Sequence, residues 1–217
     1  AVDLSALQDL APQLQNTADT LDAASLALAE ARTPWLLPVI SDRVQDLENE
    51  IIEVLPETRL AAQAARVMPG LLGDEEPRTY FVMLGSPAES RELGGFLGSW
   101  ALLQADAGRL SIGESGRISD LFDEAAASTI VPGSVPDWFL EMGRPQLFPQ
   151  NLTSSPDFTL VAQAAQQVLG AAFDVPIDGF IYADPWVFVD ALELTGPVET
   201  PFRSEPLTSA NAEAFFF

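Results

Sequence analysis

Residues 80–86, Tyr-Phe-Val-Met-Leu-Gly-Ser, constrain the fold more than any other segment, because seven apolar or small residues in a row suit a strand covered on both faces. A short charged loop follows, and then Gly94-Gly95 leads a second apolar run over residues 96–103. Ser86, Glu89, Arg91 and Glu92 are therefore expected at the carboxyl end of a central strand, the usual address of a ligand in an α/β sheet.

The pattern beyond this point keeps α/β order. Ala105-Asp106-Ala107-Gly108 suits a hairpin turn between the second run and a third strand, residues 109–112. Residues 113–149, rich in Pro and charge, are expected as a long loop that could serve as a lid or binding loop. Ser154, Ser155, Pro156 and Asp157 open a predicted helix that runs to Leu169. A strand over 177–182, a helix over 185–194 and a short strand over 197–200 complete the series.

Before residue 76 the chain is helical in pattern. Leu7, Leu14, Leu21 and Leu28 recur every seven residues, with Leu4, Ala11, Ala18 and Ser25 between them, which predicts a helix over about residues 3–31. Thr33-Pro34 ends it and Pro38 closes a short connection. Ile40, Val44, Leu47, Ile51 and Val54 mark a second helix capped at Ser41, and Leu60, Ala64 and Val67 a third ending near Pro69-Gly70. The small residues between the leucines favour an intrachain helical hairpin over a homodimer seam. The division expected is an N-terminal helical segment, 1–75, and an α/β domain, 76–217, with a mixed central sheet flanked by helices.

Composition prunes the chemistry. The chain has 10 basic residues, all Arg, against 32 acidic ones, for a net charge of −22. Nucleic acid and anionic membrane surfaces are poor partners for such an average surface, although one Arg can still grip a phosphate. With no His, Cys or Lys in the sequence, imidazole, thiol and Schiff-base chemistry are excluded, which leaves carboxylate, Arg, Ser and hard-cation chemistry. No apolar run reaches the roughly 20 residues of a membrane helix.

Several motifs together carry a family resemblance: Leu84-Gly85-Ser86, Glu89-x-Arg91, Gly94-Gly95-Phe96-x-Gly98-Ser99, Asn151-x-x-Ser154-Ser155-Pro156-Asp157-Phe158, Ile177-Asp178-Gly179-Phe180 with Asp184-Pro185, and Gly196-Pro197-Val198. From about Leu60 onward the chain resembles the bacterial envelope family known as domain of unknown function 4012. That family in turn distantly resembles the LytR-CpsA-Psr phosphotransferases, which move glycopolymers from polyprenyl-pyrophosphate carriers to the cell wall. The resemblance implies a LytR-CpsA-Psr-like fold. It also implies an extracytoplasmic protein of the cell envelope, anchored to the membrane only by a segment outside this chain; for the C-terminus two readings stand, a domain truncated at Phe217 and a natural terminal helix that buries Phe215-Phe216-Phe217.

The same resemblance implies roles for particular residues. Arg91 corresponds to an essential phosphate-binding Arg of the phosphotransferases, and Arg117 with Asp120 to their second Arg-Asp pair. Glu89 would hold Mg²⁺, and Ser86 and Glu92 would line the ligand site. The phosphotransferases carry an Asp soon after Leu-Gly-Ser and an Asp-Thr farther on, where this chain has Pro87 and Gly94-Gly95. Two functions are thus expected as alternatives: a binder of polyprenyl-linked (pyro)phosphate or glycopolymer with possible phosphotransferase activity, or a non-catalytic scaffold domain. Structural readings compete at each residue. Arg91 could close its loop by an ion pair with Glu89 or Glu92, and Arg117 and Asp120 could be solvated loop charges. Asp157, Asp178 and Asp184 are expected to be structural, and Trp100, Trp138, Trp186 and Phe180 to be core.

Overall fold

The structure, a computed structural model, describes residues 1–31 and 38–216. It divides into two compact units, one of Ala1–Pro77 with Ala105–Leu110 and one of Arg78–Gln104 with Ser111–Phe217. No helix among the described residues is long and apolar enough to cross a membrane.

The first unit is a helical hairpin of α1 (Leu4–Ala31) and α2 (Pro38–Leu71). The leucine column faces inward. Leu4 and Ala18 are buried and Leu7, Ala11, Leu14, Leu21, Ser25 and Leu28 are half-buried, while Ala62 and Ala65 of α2 are buried and Val44, Ile51 and Leu55 half-buried on the opposing face. Alanines on both sides let the backbones approach closely, and Arg59 of α2 pairs with Asp22 of α1. The second and third helices expected from the sequence are one helix. Pro56 lies inside it, because burial of the shared seam outweighs the roughly 3 kcal/mol that an interior Pro costs. Ser41 is consequently an interior residue of α2 rather than its cap. The break expected at Thr33-Pro34 lies outside the described residues. Residues 105–110 belong to this unit through backbone bonds from Val2 to Gly108 (2.7 Å), Ala107 to Gly73 (2.9 Å) and Gly108 to Leu72 (2.9 Å).

The second unit is built on a four-stranded mixed sheet of order β3-β2-β1-β4, formed by β1 (Arg78–Ser86), β2 (Phe96–Asp106), β3 (Arg109–Arg117) and β4 (Gly179–Ala183). β2 and β3 are joined through Ala107 and Gly108, whose positive φ values of 45° and 78° are those of a tight hairpin turn, as the Asp-x-Gly pattern predicts. β1 and β4 are parallel, with Tyr80 opposite Gly179 and Leu84 opposite Ala183. Parallel strands need a crossover. Here it consists of short 3₁₀ turns at Ile118–Leu121 and Pro149–Thr153 and the helices α3 (Phe122–Ala127), α4 (Asp137–Gly143) and α5 (Phe158–Leu169).

One face of the sheet carries the core. Phe81 and Met83 of β1 and Leu97, Trp100 and Leu102 of β2 pack with Val161, Ala164, Ala165 and Val168 of α5. Phe81 stacks on Trp100 at 5.8 Å between ring centroids, and Phe173 and Phe180 tilt against it. Tyr80, Val82 and Leu84 on the other face are only half-buried, so β1 is less enclosed than its apolar run suggests. Residues 113–149 are not a lid: Ile118, Leu121, Ala125, Val135 and Phe139 enter the core, because apolar spacing of three to four residues turns the segment into helical pieces. The tail holds α6 (Pro185–Thr195) and α7 (Ser209–Phe216), with Leu192, Leu207 and Ala212 in a small core of their own. The strand expected at 197–200 is a single antiparallel bridge between Val198 and Leu207, which Pro197 and Pro201 keep from extending. Trp138 and Trp186, expected in the core, are 51% and 45% exposed.

Phe139 is fully buried beside the exposed Trp138, so truncations at the two positions should separate. Phe139→Ala is expected to lower unfolding stability by about 3–5 kcal/mol, and Trp138→Ala by less than about 1 kcal/mol. Urea unfolding checks both, and comparable losses would restore the lid interpretation of residues 113–149.

Candidate functional site

Four strand ends meet at one edge of the sheet. β1 ends at Ser86 and β4 at Ala183, β2 begins at Phe96, and the hairpin returns β3 to this edge, where Trp100 Nε1 donates to the Arg117 carbonyl at 3.1 Å. The crevice beyond the carboxyl ends of parallel strands is where open α/β sheets bind ligands. Here it is bordered by residues 87–95 after β1 and by the start of α6 after β4. Pro87, Ala88, Trp186 and Glu213 line an open groove of about 290 Å³ there.

The 87–95 segment is folded on itself. Glu89 N–H donates to the Ser86 carbonyl (3.3 Å), Phe96 N–H to the Glu89 carbonyl (2.9 Å), and Gly94 N–H to the Arg91 carbonyl (3.0 Å), which closes a turn over residues 91–94. Leu93 N–H ties this turn to the Thr153 carbonyl at 3.1 Å. The two glycines are required by geometry: Gly94 has φ 102° and Gly95 φ 158°, and a Cβ on Gly95 would collide with the Ser86 carbonyl.

Arg91 is not held by its acidic neighbours. Nη1 donates to the Ser90 carbonyl at 2.9 Å, and the guanidinium lies over the Phe96 ring at 5.6 Å from its centroid. Neither Glu89 nor Glu92 forms an ion pair with Arg91, and both carboxylates are exposed. In place of the loop-closing ion pair that competed with a phosphate role, the half-buried Arg91 makes a cation–π contact, and Nη1 bonds a backbone carbonyl.

Arg117 and Asp120 lie at the same sheet edge with a local role. Asp120 Oδ2 accepts from the Arg117 backbone N–H at 3.0 Å and so caps the 3₁₀ turn that follows β3, while the Arg117 side chain is exposed. Asp157 and Asp184 cap α5 and α6, each accepting two backbone N–H groups of the first turn. Asp178 pairs with Arg78 at 3.0 Å and accepts from Thr79 N–H at 2.7 Å, which joins the starts of β4 and β1. All three are structural, as their sequence positions indicate. Among the described residues no group of three or more His, Cys, Asp or Glu side chains is placed to hold a metal ion.

Sequence reading missed Tyr182, on β4. Its hydroxyl lies against Gly85, where a Cβ would collide with the ring and its oxygen, and 3.5 Å from where a Cβ on Gly94 would stand. The oxygen is buried and has no hydrogen-bond partner. Burial raises its pKa above the ordinary tyrosine value, and the nearby Asp184 charge adds to the effect. Thr153, 0% exposed, has an equally unpartnered Oγ1. The one sequence signal was a Tyr closing a strand, which is not specific.

Fold and site together define an α/β protein with a mixed four-stranded sheet, whose strand-end loop presents an arginine free of carboxylate partners. Residues 75–217, which take in the whole sheet and every helix after α2, match the model of a family described as protein of unknown function (DUF4012), and the chain belongs to that family. No curated protein and no solved structure matches it.

An acid whose pKa is raised on folding binds more protons in the native state, so stability falls as pH rises through the unfolded tyrosine value of about 10. Tyr182 and Tyr80 are both raised, chiefly by burial. Unfolding midpoints followed from pH 8 to 11 should therefore decline at the alkaline end, and Tyr182→Phe should flatten that decline. An unchanged slope in the variant would mean that the hydroxyl ionises as freely in the fold as in the unfolded chain.

Proposed function

We propose that this protein binds the phosphate groups of a polyprenyl-linked glycan carrier at the crevice formed by the loop after β1 and the start of α6. The observation that supports it most is Arg91. In a chain with 32 acidic residues and net charge −22, an arginine beside Glu89 and Glu92 is held only by a carbonyl and an aromatic face. A guanidinium without a carboxylate partner suits a phosphate, which accepts two parallel charge-assisted bonds from such a group. The adjoining groove supplies Trp186 and Pro87, and α6 continues with exposed Val187 and Phe188, an apolar track suited to an isoprenoid chain.

The distant resemblance to LytR-CpsA-Psr phosphotransferases extends this reading toward transfer chemistry. Arg91 would neutralise the pyrophosphate and Arg117, at the same sheet edge, would stabilise leaving-group charge, because positioning and electrostatics supply most phosphoryl-transfer catalysis. Glu89 would contribute one carboxylate to Mg²⁺, with water and substrate phosphates completing the shell, as that ion commonly binds. In this reading the protein acts outside the cytoplasm, at the cell envelope.

Native mass spectrometry with Mg²⁺ and a short polyprenyl pyrophosphate tests the proposal. The wild type should bind, and Arg91→Ala should weaken binding at least about tenfold, or about 1.4 kcal/mol. Arg91→Lys should recover part of the loss, since a point charge lacks the bidentate fork. Equal binding by wild type and Arg91→Ala, or none by either, would leave the non-catalytic scaffold as the better account.

A further inference from the structure

Two buried hydroxyls without partners adjoin the same turn. Tyr182 Oη is wedged between the backbones of Gly85 and Gly94, and Thr153, whose carbonyl anchors Leu93, has an unpartnered Oγ1 in a wholly buried side chain. Native proteins pair nearly all such groups, and each exception calls for a physical reason. Tyrosine and threonine hydroxyls are donors that suit an acceptor-only group, and Arg91 stands on the turn whose Gly94 lies beside Tyr182 and whose Leu93 bonds the Thr153 carbonyl.

Among the described residues, residues 91–94 connect to the rest of the unit through one backbone bond, Leu93 to Thr153, and through the half-buried Leu93 side chain, which packs against the core, and they run directly into Gly94 and Gly95 with φ of 102° and 158°. Two glycines in backbone regions closed to other residues make a natural hinge, able to absorb a change in φ and ψ that a side chain would block. Arg91 would ride on this segment, so a movement that uncovers Tyr182 also carries the guanidinium.

We propose that the turn of residues 91–94 is a hinged cover, and that on lifting it exposes the Tyr182 and Thr153 hydroxyls as donors to the pyrophosphate oxygens gripped by Arg91. The inference rests on the phosphate-binding function proposed above and adds two positioning donors and a moving part. Tyr182 remains protonated through the physiological range because its burial resists ionisation, so it donates throughout. The unpartnered state is then the resting one, in which stability is given up for readiness to bind.

That trade has a signature that a merely structural role would not produce. Tyr182→Phe and Thr153→Val keep shape and delete only the hydroxyl. Each should raise the ligand-free Tm, by about 2–4 °C for a chain of this size, and weaken binding of pyrophosphate by about tenfold. Inorganic pyrophosphate and geranyl pyrophosphate serve as separate probes: equal losses with both assign the hydroxyls to the phosphates, and a loss with the prenyl compound alone overturns that assignment. Amide exchange at Leu93 and Gly94 should speed up when pyrophosphate binds, and slowing would overturn the hinge. A raised Tm with unchanged affinity would make the hydroxyl a packing flaw, and a lowered Tm would mean that it has a partner such as an ordered water; both overturn the proposal. If Arg91→Ala loses binding while Tyr182→Phe retains it, the phosphate reading stands and this one falls. If the wild type binds neither probe, both fall.

Discussion

The parallel pairing of β1 with β4 is the constraint on which the second unit depends. Arg78 and Asp178, which tie the starts of the two strands, are 100 residues apart in the chain. Closing so long a loop costs conformational entropy before any ladder bond forms, and the crossover must return enough burial to offset it. It does so through α5, whose Val161, Ala164, Ala165 and Val168 cover Phe81 and Met83, and through Ile118, Leu121, Val135 and Phe139 from the segments before it. The stack of Phe81 on Trp100, with Phe173 and Phe180 against it, joins three strands and the crossover in one aromatic cluster. Remove that cluster and neither the parallel pair nor the crevice at its carboxyl end has support.

The crevice follows from the pairing. Because β1 and β4 run in the same direction, the loop after one and the helix after the other open at the same edge, and the side chains they carry become neighbours without any sequence proximity. Among the arginines described, Arg59 and Arg78 are bound to carboxylates in the fold, whereas Arg91 at this edge and Arg203 in the tail each lie over an aromatic ring. In a protein of net charge −22 such a position is a local exception to the field, and an anionic ligand needs such an exception.

Much of the framework was legible because it is local. Asp157 and Asp184 announce helix starts by their place before apolar periodic runs, and the Asp-x-Gly turn announces the β2–β3 hairpin; each needs only a few residues of chain to act. The small residues in the heptad of α1 predict an intrachain seam, and α2 lies against it. What failed was non-local. The apolar residues 40–54 and 60–67 read as two helices, yet α2 runs through both, with Pro56 inside it, because α1 packs along it. Residues 113–149 read as a loop because their helices are short and interrupted by prolines, although their apolar side chains have a sheet face to cover. Trp138 and Trp186 read as core from residue type alone, and exposure is decided by which face finds a neighbour.

The candidate site divides in the same way. By itself the sequence determined the mixed α/β class, the helical hairpin, the loop bearing Glu89 and Arg91 at a strand end, and the exclusion of His, Cys and Lys chemistry, because composition and short-range periodicity act within one element. Only the tertiary structure decided that Arg91 is free of its adjacent carboxylates, that Asp120 spends its charge on a turn, and that Tyr182 is buried between Gly85 and Gly94 without a partner. Each of those outcomes depends on which groups distant in the chain are brought within a few ångströms, and hydrogen bonds and desolvation are decided at that distance.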